Sequence, residues 1–118
     1  MKLYLINHLK QKTMFSTLKK LLGIGPKVDF SELVKEGAII LDVRTKGEYG
    51  SGHIRGSVNI PVEQLQNNLQ KFKDKKRPII TCCASGMRSS SAKRIFTSNG
   101  YTNVHNGGGW QSLNNKLN

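Results

Sequence analysis

PIITCCASGMRSSSAKRIFTSNG, residues 78–100, is the stretch that decides the fold. It opens on Pro78-Ile79-Ile80-Thr81-Cys82, an apolar, β-branched run of the kind found in a strand buried on both faces. A tight loop, Ala84-Ser85-Gly86-Met87, follows Cys83. A helix is predicted over Gly86–Asn99, well under way at Arg88, with Ala92, Ile95 and Phe96 on one face and Gly100 as its stop. Strand, tight loop and helix in this order form the building unit of a parallel α/β sheet.

Upstream, the same alternation recurs. Asp29 is placed to cap a helix over Phe30–Lys35 that Gly37 ends. Ala38–Val43 is a second continuous apolar run, closed by charge, and reads as another buried parallel strand. Thr45–Gly52 is polar and glycine-rich, a short helix and loop before a brief strand at Ser57–Ile60, which Pro61 stops. Val62, Leu65, Leu69 and Phe72 recur every three or four residues and predict an amphipathic helix over Val62–Phe72. Downstream, a last strand is predicted at Thr102–His105. Asn106-Gly107-Gly108-Gly109 then suits a tight turn with close backbone packing, and Trp110–Leu117 a last helix with Trp110 in the core.

The 118 residues suffice for one compact domain with one core. Both cysteines are adjacent, Cys82 and Cys83, so they cannot staple distant segments, and a reducing, cytoplasmic setting is expected. No segment approaches the roughly 20 apolar residues that cross a bilayer. The net charge is +12, and six of the 19 basic residues lie in residues 1–27, which hold no acid. Gly23-Ile24-Gly25-Pro26 separates this basic arm, 1–26, from a domain over 27–118. Met14 offers an alternative start that would make 1–13 an upstream extension. The arm reads as solvated, with contact to a membrane surface or an acidic partner as the alternative. Lys73-Asp74-Lys75-Lys76-Arg77 reads as a solvated turn, with a nucleic-acid or acidic-partner patch as the alternative. Neither a metal nor another cofactor is expected, since no His, Cys and acid cluster has ligand spacing.

The chemistry is expected where the strand ends. Backbone N–H groups of a short loop, together with the N-terminal dipole of the next helix, stabilise an anion at the loop's centre. Such a setting lowers a thiol pKa, so Cys83 is the expected nucleophile. The competing reading, a buried structural cysteine, suits Cys82, which alternation turns to the opposite face of the strand.

Three segments carry a family resemblance. Cys83-Ala84-Ser85-Gly86-Met87-Arg88-Ser89 resembles the active-site loop of rhodanese domains. LDVRTKGEYGSGHIRGSVNIP (Leu41–Pro61) and GYTNVHNGGGWQSL (Gly100–Leu113) resemble the family's upstream and closing segments. The match spans about residues 27–116.

The resemblance implies a rhodanese-like α/β fold, a five-stranded parallel sheet flanked by helices on both faces, with Lys27–Asp29 as its short first strand. It also implies sulfurtransferase activity. The Cys83 thiolate would take a sulfane sulfur from a small anionic donor such as thiosulfate. A thiol, cyanide or protein acceptor would then remove it from the persulfide. Ala84, Ser85, Gly86, Met87, Arg88 and Ser89 would bind the substrate. Arg88 has two open roles, as ligand of an anionic donor or as a brace paired with Asp42 or Glu48. Asp42, Arg44, Glu48 and His53 are expected to support the structure, with Arg44 partnered by Glu48 or another acid. A sulfur-relay or regulatory module with little turnover on free thiosulfate is the alternative function. A phosphatase or arsenate reductase fits less well, because those loops place five residues between Cys and Arg where this one places four.

Overall fold

A computed structural model describes residues 27–118. The basic arm at 1–26, its candidate extension and its membrane or partner contact lie outside the described residues. The chain runs through helix α1 (Phe30–Lys35), strand β1 (Ile39–Asp42), α2 (Lys46–Gly50), β2 (Val58–Asn59) and α3 (Val62–Leu65), which tightens into a 3-10 helix over Gln66–Lys71. It continues through β3 (Ile79–Cys83), α4 (Met87–Ser98), β4 (Val104–Gly109) and α5 (Trp110–Leu117). All the strands pair in parallel in the order β2-β1-β3-β4, with β3 buried along its whole length.

Alternation along β3 builds two apolar layers. On one face Leu41, Val43, Ile79 and Cys83 meet Leu65, Phe72, Ala92 and Phe96, so α3, the 3-10 segment and α4 cover that side. On the other, Ile40, Ile80 and Cys82 meet Leu113, Phe30 and Leu33 beneath α1 and α5. Phe96 packs edge-on against Phe72 at 5.1 Å and Tyr101 at 5.0 Å, which holds α4 over the sheet.

Three expectations are corrected. The described residues contain a four-stranded sheet, not five: Lys27–Asp29 is exposed and irregular. Asp29 instead uses its carboxylate to cap α1, accepting the N–H of Glu32 at 3.1 Å. The helix over Val62–Phe72 changes type after Leu65, where the Asn68 side chain donates to the Gln64 carbonyl and competes with the backbone ladder. The basic turn at 73–77 is exposed throughout, as expected of a solvated turn, and two of its side chains also tie it to the domain. Lys75 donates to the Asn99 carbonyl at 2.9 Å, and Arg77 to that of Gly37 at 3.0 Å.

The third correction concerns residues 106–109, which extend β4 instead of turning. Their value is close approach. A Cβ on Gly107 would lie 2.8 Å from Ile80 Cγ2, and 2.9 Å from both Leu113 Cδ2 and the Thr81 carbonyl. Gly107→Ala is therefore expected to destabilise the domain by about 1–3 kcal/mol through overpacking. A thermal unfolding midpoint unchanged by the substitution would contradict this packing.

Candidate active site

Cys83 closes β3 and is 1% exposed. Immediately after it, Gly86 takes φ of +102°, a left-handed conformation that suits glycine, and caps α4. That reversal brings amides back onto the sulfur. The N–H groups of Gly86 and Ser89 donate to Sγ at 3.0 and 3.4 Å, and Ser89 Oγ lies 3.5 Å away. Burial pushes the thiol pKa up. The Ser89 hydroxyl and the amides of Ser89, Gly86 and Ser85 outweigh it, so the net shift is downward. The neighbouring thiol behaves oppositely. Burial, with the Asp42 carboxylate adding to it, pushes Cys82 up to about 12.

The supporting residues form two charge pairs. Arg88 grips Glu48 with Nη1 on Oε1 at 2.7 Å and Nη2 on Oε2 at 3.0 Å, which realises the brace geometry. Arg88 holds Glu48 down at about 2, with help from the Thr45 amide and hydroxyl. Thr45 and Glu48 also complete a capping box on α2. Arg44 takes Asp42 as its acid: Nε and Nη2 bond its carboxylate at 2.8 to 3.1 Å, and Nη2 also reaches the Gly52 carbonyl at 2.7 Å. The Arg44 guanidinium lies 4.8 Å from the centre of the Trp110 ring, tying the end of β1 to α5.

His53 is exposed, stacks on Tyr49 at 3.8 Å and bonds its carbonyl through Nδ1 at 2.8 Å, so it fixes the segment after α2. Ala84, Ser85 and Met87 present exposed positions on the loop, Met87 at 80%. The described residues contain no group of three or more His, Cys, Asp or Glu side chains that could hold a metal ion.

One contributor went unread in the sequence. Asn106 Oδ1 accepts from Ser89 Oγ at 2.6 Å and from the Gly108 amide at 2.9 Å, so β4 positions the hydroxyl beside the sulfur. The available signal was an amide side chain at the head of a glycine run, a pairing that favours local backbone bonds. Ser89→Ala should move the pH profile of Cys83 alkylation upward and slow the reaction near neutrality about fivefold, as one hydrogen bond is lost. An unshifted profile would separate Ser89 from the thiolate.

Comparison with known proteins agrees with this geometry. The sequence matches the family described as "Rhodanese-like domain" over residues 27–116. It is 32% identical over 74 residues to the thiosulfate sulfurtransferase PspE of Escherichia coli K12, covering 62% of this chain and 71% of that one. The human single-domain sulfurtransferase TSTD1 superposes with a TM-score of 0.65 at 28% identity, over 75% of this chain and 94% of that one. A rhodanese from E. coli, solved with anions, superposes with a TM-score of 0.61 at 31% identity, over 64% and 91%. The match over residues 27–116, in this fold and with these relatives, makes the chain a member of the rhodanese-like domain family.

Proposed function

We propose that this protein is a sulfurtransferase that carries sulfur as a persulfide on Cys83. In the first half-reaction the thiolate attacks the outer sulfur of a donor such as thiosulfate. The new S–S bond forms as the old one breaks, and sulfite leaves with the bonding pair. In the second, a thiol, cyanide or a protein acceptor attacks the outer sulfur, and the Cys83 thiolate leaves.

The observation that carries this reading is the convergence of the Gly86 and Ser89 amides on Sγ, at 3.0 and 3.4 Å. They stabilise the anion before attack and again when it is released, without reorganising. The 1% exposure of Cys83 favours a substrate that presents a single atom. The engagement of both Arg88 Nη groups by Glu48 speaks against a phosphatase, which needs a guanidinium on a tetrahedral oxyanion. No helix among the described residues is long and apolar enough to cross a membrane.

The test is an intact mass after mixing with thiosulfate. An added sulfur of about 32 Da that cyanide removes is expected, the mark of a persulfide. A mass unchanged by thiosulfate and by every other sulfane donor would overturn the reading.

A further inference from the structure

The Ser89 hydroxyl lies among three atoms that can take its proton. Asn106 Oδ1 is 2.6 Å away, the Gly86 carbonyl 3.0 Å and Cys83 Sγ 3.5 Å. A hydroxyl has one proton and two lone pairs, so it donates fully to only one of them at a time. The amide of Asn106 is oriented by its other partners. Its Oδ1 accepts the Gly108 N–H at 2.9 Å, and its Nδ2 donates to the Gly86 carbonyl at 3.4 Å. An O···O contact of 2.6 Å with an oxygen that can only accept requires a proton between the two, and Ser89 supplies it. With that proton directed at Asn106, Ser89 presents a lone pair to the sulfur.

This arrangement suits the thiol. The Cys83 S–H donates to Ser89 Oγ, the Ser89 O–H to Asn106 Oδ1, and the Gly108 amide steadies the end of the chain. The thiolate has the opposite need. Once its proton has gone to solvent, Sγ can only accept, and the hydroxyl stabilises it by turning its own proton from Asn106 to the sulfur. The amides of Gly86 and Ser89 face no such choice, because an N–H donates in both states.

We propose that Asn106 is a positioning residue that restrains ionisation of Cys83, by competing with the sulfur for the single proton of the Ser89 hydroxyl. It makes no bond to the sulfur and acts through Ser89. Its influence is opposite in sign to that of Ser89: losing Ser89 takes a donor from the thiolate, whereas losing Asn106 frees that donor. The charged and titratable groups around the sulfur are separate from this chain. Arg88 on α4 is held by Glu48 on α2 and also feels Glu63 on α3. Cys82 on β3 faces the Asp42–Arg44 pair of β1. His105, next to Asn106 on β4, bonds Asn103 Oδ1 through Nε2 at 2.7 Å. None of them bonds Asn106, so all are common to the variants that test it.

The experiment follows alkylation of Cys83 by iodoacetamide across pH, together with the ultraviolet absorbance of the thiolate, which needs no access by a reagent. Asn106→Ala should lower both midpoints and speed alkylation about fivefold on the acid side, as the thiolate gains one undivided hydrogen bond. Asn106→Ser retains an oxygen for the Gly108 amide but is too short for Ser89, and should shift the same way, which covers a failure of the alanine variant to fold. Asn106→Asp holds the hydroxyl and adds negative charge, so its midpoints should rise. In a Ser89→Ala background, Asn106→Ala should change the rate by less than about twofold, because the shared proton is gone. Midpoints that stay or rise in both Asn106→Ala and Asn106→Ser would overturn the proposal. So would a fall of the same size with and without Ser89, since Asn106 would then act by another route. Alkylation needs no sulfur donor, so the outcome is independent of whether Cys83 loads sulfur.

Discussion

Cys83→Ser is expected to abolish sulfur loading and to lower turnover at least about 10³-fold, because a serine hydroxyl has neither a thiol's acidity nor a thiolate's affinity for sulfur. Cys82→Ala should retain turnover within about twofold while losing about 1–2 kcal/mol of stability for the emptied volume. The contrast follows from one residue of alternation along β3. Cys83 lies in the layer beneath α4, where three loop amides and the Ser89 hydroxyl hold its pKa down. Cys82 lies in the opposite layer with Ile40, Ile54, Ile80 and Leu113, held near 12 by burial and by Asp42. Of the two thiols only Cys83 has its pKa lowered, so it is the one expected to react as a thiolate. Intact-mass loading in the two variants checks this, and loading that survives in Cys83→Ser but vanishes in Cys82→Ala would reverse the assignment.

A second large effect is expected from Asp42→Ala. Asp42 is fully buried, and Arg44 is 4% exposed. Removing the carboxylate strands a guanidinium, so a loss of about 3–5 kcal/mol is expected. For a domain of this size that lowers the thermal midpoint by more than about 10 °C. The damage should reach the site as well. Arg44 also holds the carbonyls of Glu48 and Gly52, and Glu48 in turn holds Arg88. Asp42→Leu combined with Arg44→Met removes both charges and should be less destabilised than Asp42→Ala alone. A double variant at least as unstable as the single one would locate the stability in the packing of these side chains, not in their charge balance.

Much of this arrangement is legible in the residues. The runs Ala38–Val43 and Pro78–Cys82 have the continuous apolar character of doubly covered strands, and they fold as β1 and β3. Asp29 caps α1 as its position predicts. The misreadings have physical causes. Glycines 107–109 signal a turn to any local rule, yet here their lack of side chains lets β4 lie against Ile80, Leu113 and the Ala84 carbonyl. Local composition cannot show which surface a glycine faces. The fifth strand at Lys27–Asp29 came from resemblance alone and lacks the apolar pattern of the other strands. For Arg88, ligand and brace are equally compatible with spacing, because the choice depends on Glu48, 40 residues away. Asn106 was invisible for a similar reason: its bond to Ser89 crosses from β4 to α4.

The amides that focus on Cys83 belong to the main chain, and this separates two properties that enzymes often entangle. On the proposed sulfur chemistry, reactivity rests on the path of residues 83–89, above all on the left-handed turn at Gly86, together with the Ser89 hydroxyl beside the sulfur. Ala84, Ser85 and Met87 are exposed and make none of the side-chain contacts to the sulfur. Substitutions at these three positions can therefore redraw which molecules the loop admits, while the sulfur keeps its nucleophilic strength. If sulfur transfer runs through Cys83 as proposed, the loop combines a fixed reaction centre with an interchangeable rim, and donor preference is then open to change one side chain at a time.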